Sequence, residues 1–306
     1  MGAELFLFAS DLHGQEERYL RLFSLLQEER PRAVFLGGDL LPSGLLSFAK
    51  SRSARGSFLE EFLIPGLRKL RDVLLEEYPV IFLIPGNDDA RSEETGLLGH
   101  EAEGLWRYLH LRREPFASYT IYGYACVPPT PFALKDWERY DVSRFVDPGC
   151  VPPEEGRYSV AVAEEEKGFP TIREDLERLA DADPMERAIF LFHSPPYQTR
   201  LDRAALDGRQ FDGAPLDVHV GSIAIRRFIE ERQPLITLHG HVHESARLSG
   251  SWQDTIGRTH CFSAAHDGPE LAVVSFNPGN PARALRRLLA PGTVTGLSGA
   301  AAGRRR

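Results

Sequence analysis

Pro234-Leu235-Ile236-Thr237-Leu238 runs without a spacer into His239-Gly240-His241-Val242-His243. A short apolar run of this length reads as a buried strand. Here it ends in imidazoles. The same grammar recurs upstream. Leu5-Phe6-Leu7-Phe8-Ala9 leads to Asp11-Leu12-His13, and Ala33-Val34-Phe35-Leu36 leads to Gly37-Gly38-Asp39. Val80-Ile81-Phe82-Leu83-Ile84 leads to Gly86-Asn87-Asp88-Asp89, and Ala188-Ile189-Phe190-Leu191-Phe192 leads to His193. In open α/β sheets, sites form beyond the carboxyl ends of the strands. Five strand ends would therefore deliver Asp, Asn and His side chains to one region. His241 and His243, two apart, point the same way if the backbone there is extended.

Helical patterns separate the early runs. Tyr19, Leu22, Phe23 and Leu26 fall at i, i+3, i+4, i+7 among charged residues, the stripe of an amphipathic helix. Leu59, Phe62, Leu63, Leu67, Leu70 and Leu74 repeat it, with a bend or offset at Pro65. This β-α-β-α-β order predicts parallel strands joined by right-handed crossovers. Further on, Tyr119 to Val127 reads as a strand, followed by Pro128-Pro129-Thr130-Pro131 and a long loop to about Tyr158. Thr171-Ile172-Arg173-Glu174 fits a capping box for a helix through Leu179. A helix around Ile225, Phe228 and Ile229 and strands at Thr259–Ser263 and Leu271–Phe276 complete the pattern. From about Leu289 the chain turns to Ala, Gly and Arg304-Arg305-Arg306, the composition of a tail. The expected organisation is one domain over 1–288 and a flexible tail over 289–306.

The chain has 306 residues, 42% hydrophobic and 26% charged, which excludes collagen-like, coiled-coil and disordered classes. No apolar run approaches the roughly 20 residues of a membrane span. Met1-Gly2-Ala3-Glu4-Leu5-Phe6 lacks a basic signal-peptide segment, so a cytoplasmic protein is expected. Cys126, Cys150 and Cys261 are odd in number and widely spaced, which fits reduced thiols. A net charge of −8 argues against a nucleic-acid partner, because phosphate contacts want a basic face. It leaves room for a phosphate-directed enzyme whose metal ions supply local positive charge. Asparagine occurs only as Asn87, Asn277 and Asn280, so Asn87 at a strand end stands out.

Each motif alone is ordinary turn chemistry; Gly-Asn-Asp-Asp and Gly-Gly-Asp are good turn sequences. In order, Asp-x-His, Gly-Asp, Gly-Asn-Asp-Asp, a lone His and Gly-His-x-His from Ser10 to His243 resemble the calcineurin-like metallophosphoesterase superfamily. Pro215-Leu216-Asp217-Val218-His219-Val220-Gly221-Ser222 also resembles a bacterial branch of it. The resemblance implies an α/β fold, a four-layer α/β/β/α sandwich enclosing a two-metal site. It implies one metal on Asp11, His13, Asp39 and His243, and a second on Asp39, Asn87, His193 and His241, with Asp39 bridging. A nitrogen and oxygen donor set suits Mn, Fe or Zn. The implied reaction is hydrolysis of a small-molecule phosphoester by in-line attack of a metal-bridging hydroxide.

The sequence departs from the family where a histidine commonly follows the asparagine. Asp88 stands there, with Asp89 in the acidic position that would orient such a histidine. The proton donor to the leaving group then falls to Asp88, or to His219 or His100. A missing donor penalises poor leaving groups most, which favours phosphodiesters or activated esters. His239 fits either a group supporting the ligands or a core histidine; His110 and His260 read as structural or surface. His266-Asp267-Gly268 lies on a return loop that could approach the site. The Glu164-Glu165-Glu166 run reads as a solvated face. Two rival readings are a nuclease of the same superfamily, weakened by the acidic balance, and a non-catalytic metal-binding scaffold, which should have lost ligands.

Overall fold

The computed structural model describes residues 4–45, 57–163 and 170–290. The glutamate run and all of the expected tail except residues 289 and 290 lie outside them. Two six-stranded sheets form the centre. In the first, β1 (Phe6–Ala9), β2 (Ala33–Gly37), β3 (Val80–Ile84) and β4 (Arg107–Tyr108) pair in parallel. In the second, the parallel strands are β6 (Tyr119–Tyr124), β7 (Ala188–Phe192), β10 (Ile236–His239) and β12 (Thr259–Ser263). Antiparallel strands close the edges. β13 (Leu271–Phe276) and β14 (Leu285–Leu289) extend the first sheet beside β1, while β5 (Arg112–Phe116) and β11 (Gln253–Ile256) flank the second. A small hairpin, β8 (Gln210–Phe211) and β9 (Ala214–Pro215), stands apart.

The helices are α1 (Glu16–Glu29), α2 (Ile64–Leu74), α3 (Glu94–Glu101), α4 (Ile172–Ala180), α5 (Ile223–Arg232) and α6 (Ser245–Ser249). Strand alternation sorts the core into three layers of contact. Leu7, Ala9, Val34 and Leu36 face outward onto α1 and α2. Phe6, Phe8, Phe35 and Phe82 point the other way and meet Ile189, Leu191, Ile236 and Leu238 of the second sheet. Beyond that, Tyr122, Phe190 and Phe192 pack on α4 and α5 through Leu176, Ile225 and Phe228. The order is helix, sheet, sheet, helix, the four-layer α/β sandwich expected.

Local chemistry explains the elements. Thr171 and Glu174 form the reciprocal capping box at the start of α4. The offset at Pro65 is a π-helical turn over Leu59–Leu63 that hands over to α2 with proline in its first turn, where its missing N–H costs nothing. Two sequence boundaries shift. The strand from Tyr119 ends at Tyr124, because the amide of Val127 turns to the carbonyl of Trp137. Leu289, expected in the tail, is the last residue of β14 and pairs with Leu271. Cys126 and Cys261 are buried, and all three cysteines are unpaired. Among the described residues no helix is long and apolar enough to cross a membrane.

Candidate metal centre

The parallel strands stop on one side of the sandwich, and their loops continue to pair. The amide of Asp11 donates to Gly38 O and that of His13 to Asp39 O, while Gly240 N donates to His193 O. Adjacent strand ends are thereby locked in register. The backbone is strained there: Asp11, His13, Asp39 and His241 all have positive φ, uncommon for residues with a Cβ and concentrated at functional sites. The loops also approach too closely for side chains. A Cβ at Gly38 (φ +92°) would lie 2.5 Å from His193 Nδ1, and one at Gly86 2.3 Å from Asp39 Oδ1. Glycine at these positions lets Asp39 and His193 meet.

One group of donors is formed by Asp11, His13, Asp39 and His243, whose ligating atoms lie within 4.8 Å of one another. His13 Nε2 stands 3.2 Å from His243 Nε2 and 3.8 Å from Asp39 Oδ2. His243 Nε2 is 3.3 Å from Asp11 Oδ1. Asp11 also accepts from Ser10 Oγ at 2.5 Å and from the His241 amide at 3.0 Å. Burial works against the charge of Asp11, but the hydrogen bond and charge of His243 hold its carboxyl well below the usual range. Burial would likewise lower His13, yet Asp88 and the carboxylates of Asp39 and Asp11 raise it to about 9.

A second group gathers around the same Asp39 oxygen, Oδ2. His193 Nδ1 lies 2.8 Å from Gly37 O; a carbonyl only accepts, so this nitrogen carries the proton. Nε2 then faces Asn87 Oδ1 at 3.1 Å and Asp39 Oδ2 at 3.4 Å. An unprotonated ring nitrogen and two oxygens would bring three lone pairs together, and only a proton or a cation reconciles them. His241 stacks edge-on to His193 with centroids 5.2 Å apart. Burial and the neighbouring charge of His193 push it down to about 3. Buried carboxylates, imidazole nitrogens and an amide oxygen make a donor set that fits metal cations of the borderline kind.

All seven expected ligands converge, though one premise fails. His241 adopts φ +74°, so the Gly240–His243 segment is turned, not extended. The turn sends His241 towards His193 and His243 towards His13.

Asp88 lies beside the cluster. Its Oδ2 is 3.3 Å from His13 Nδ1, its Oδ1 accepts from Ser43 Oγ at 2.6 Å, and its amide donates to Asp39 Oδ1. Asp89 orients no histidine. It accepts from the amides of Gly86, Leu40 and Leu41, tying the loop after β2 to the loop after β3. Burial pushes its carboxyl up to about 7, with the nearby charge of Asp39 adding to the effect.

His219 sits outside the cluster, on the loop that follows His193. Its Nδ1 is 2.8 Å from Asp202 Oδ1, and Tyr197 meets its ring edge-on. It bridges to Arg203, and the amide of Ala205 reaches Glu244, the neighbour of His243. His100 is occupied on α3 by Glu103 and Glu60. His239 is a core histidine, held by Ser194 O and Thr237 Oγ1 and stacked on Phe192.

The return loop does reach the site through Arg18. This nearly buried arginine donates to Asp11 O at 2.6 Å and to Gly268 O at 2.5 Å. Nothing in its helical spacing marks it, since arginine belongs on the polar face of α1. Asp202, beneath His219, is equally silent in sequence.

Comparison with known proteins assigns the family. The sequence model for calcineurin-like phosphoesterases matches residues 5–245, and the chain belongs to that family. No match was found among the curated proteins. One solved crystal structure superposes with a TM-score of 0.58 at 15% identity, covering 94% of this chain and 100% of the other. TT1561 of Thermus thermophilus gives 0.54 at 17% identity, covering 94% and 99%. A dimetal phosphatase from Danio rerio gives 0.48 at 13%, covering 89% and 92%.

Proposed function

We propose that this chain is a metal-dependent hydrolase of a small-molecule phosphoester, a phosphodiester or activated ester before a phosphoprotein. The convergence of His13, His243, Asp11 and Asp39 on one point carries the reading. Asp11, His13, Asp39 and His243 would hold one cation, and Asp39, Asn87, His193 and His241 the other. Two cations there, Mn, Fe or Zn, would neutralise phosphoryl oxygens and lower the pKa of coordinated water.

The chain's own groups supply orientation and proton transfer. Gly37 O fixes the tautomer of His193, and the Asp88 carboxylate does the same for His13; both leave Nε2 to the metal, as supporting carboxylates and carbonyls commonly do. Asp88, committed as an acceptor to Ser43 and His13, is then a positioning residue and not a proton donor. The donor is His219: Asp202 holds its ring through Nδ1, leaving Nε2 to pass a proton to the departing oxygen. Asp202 is itself fixed by the amides of Gln198, Thr199 and Gly221.

The test is metal analysis of the purified protein together with hydrolysis assays supplemented with Mn, Fe or Zn. Phosphomonoesters, cyclic nucleotides, nucleotide diphosphates and phospholipid headgroups form the panel, with His241→Ala as control. Turnover of one class, lost in His241→Ala, supports the reading. Stoichiometric metal with no hydrolysis of any phosphoester would leave a metal-binding scaffold instead.

A further inference from the structure

A cavity of about 240 Å³ opens beside the Asn87 loop, and none of the seven candidate metal ligands lines it. Its walls are tied to that loop: Trp137 Nε1 donates to Asp89 O, and Asp136 accepts from the Arg91 amide. Three guanidinium groups reach it from three segments: Arg91 after the Asn87 loop, Arg112 at the start of β5, and Arg139 beyond β6.

The acidic groups in the same walls are already engaged. Asp136 accepts from the Arg91 amide at 2.8 Å and from both the amide and hydroxyl of Ser159. Glu94 accepts from Tyr108 OH at 2.6 Å and meets Arg91 Nε only at 3.4 Å. Both terminal amino groups of Arg91 lack a hydrogen bond among the described residues. Arg112 uses Nη1 on Glu101 at 2.9 Å and on Tyr108 O at 3.4 Å, keeping Nε and Nη2.

His110 adds a neutral donor. Its Nδ1 accepts from the Ala125 amide at 3.0 Å, so its proton is on Nε2. Burial, then the charges of Arg139, Arg91 and Arg112, push this imidazole down to about 3. Arg139 is paired with Asp175 at 3.9 Å, so the donors open to the cavity are those of Arg91 and Arg112. Leu98 and Leu111, 36% and 43% exposed, border it with apolar surface.

We infer that this cavity binds a small organic phosphate, with Arg91 and Arg112 gripping the phosphoryl oxygens. Planar guanidinium forks match phosphate oxygens bidentately, and the donors that Arg91 and Arg112 leave unused are the ones a phosphoryl group would take. The limited volume and the leucine border suit a short alkyl or sugar remainder, not a nucleotide. The inference does not depend on the metal-centre reading.

Calorimetric titration of the full chain with inorganic phosphate and with glycerol phosphate, before and after chelation of metal, tests it. One glycerol phosphate per chain is expected in the chelated protein, bound at least as tightly as inorganic phosphate. Arg91→Gln/Arg112→Gln should weaken binding at least tenfold, while His241→Ala leaves it unchanged in the chelated protein. Arg112→Gln alone, an exposed change, serves if the double variant fails to fold. No saturable binding after chelation, or unchanged affinity in the arginine variants, would overturn the site. Weaker binding of glycerol phosphate than of inorganic phosphate would overturn the organic-phosphate assignment.

Discussion

His13 Nε2 lies 3.2 Å from His243 Nε2, with the Asp39 and Asp11 carboxylates beside them. Two ligands of one tetrahedral zinc stand about 3.3 Å apart, given a metal–nitrogen distance near 2.0–2.1 Å. The spacing fits the shared cation proposed above. Metal added to chelated protein at about a hundred times its dissociation constant should stabilise the fold by about 2.7 kcal/mol. That corresponds to a rise of about 5 °C in melting temperature. His243→Ala should lose more than half of the rise in a thermal scan, and Asp39→Asn should lower kcat by about 10²–10⁴-fold.

Asp88 offers a sharper test because two roles predict different patterns. A carboxylate that only orients His13 sets metal affinity, so Asp88→Asn should weaken metal binding by about 10–100-fold. Saturating metal should then restore activity towards alkyl and nitrophenyl esters equally. A selective, metal-insensitive loss on alkyl esters would identify Asp88 as the proton donor after all.

His219 should show the opposite signature. With Asp202 fixed by three amides and holding Nδ1, His219→Ala removes a donor without touching the candidate ligands. Alkyl phosphoesters should slow by about 10²-fold, while nitrophenyl esters, whose leaving group needs no proton, change little. Equal loss on both would place His219 in binding and not in proton transfer.

The sequence made the candidate ligands legible because each follows an apolar run, and runs of Phe, Leu, Ile and Val commonly form buried strands. The four layers were less legible: which face of Phe6-Leu7-Phe8-Ala9 meets a helix and which meets a second sheet depends on distant strands. The edge strands β4, β5 and β11 carry charged or mixed residues, and only pairing with a neighbour makes them strands. The supports were hidden for a related reason. Arg18, Asp202 and Ser43 act through single contacts to residues far along the chain, and no local period records such contacts.

His110 should make stability fall in acid. Burial and three arginines depress its pKa to about 3 in the fold, against about 6.5 in the unfolded chain. Between those values the unfolded state binds more protons, so stability is full above pH 6.5 and drains as pH falls towards 3. The contribution is roughly 5 kcal/mol over the full span. His110→Asn, whose Oδ1 can accept from the Ala125 amide in place of Nδ1, should flatten this part of the profile in denaturant titrations between pH 7 and 4. A profile parallel to that of the parent chain would show that His110 titrates normally.

Lys135 and Glu138 are both fully buried in the long loop after β6 and bonded at 2.5 Å. Thr130 completes the arrangement: its carbonyl accepts from Lys135 Nζ, and its amide and hydroxyl donate to Glu138. Burial raises the Glu138 carboxyl to about 7 even with Lys135 pulling it down. Removing the lysine leaves an uncompensated buried acid, so Lys135→Met should cost about 3–5 kcal/mol near pH 8. Lys135→Met/Glu138→Gln removes both charges and should recover much of that loss, since a buried pair contributes little net stability. Chemical denaturation of the two variants measures the difference. The same loop carries Asp136 and Trp137, which hold Arg91 and Asp89 beside Asn87. The single variant should therefore also bind metal more weakly, whereas a stability loss with unchanged metal affinity would show that the loop and the metal centre are independent.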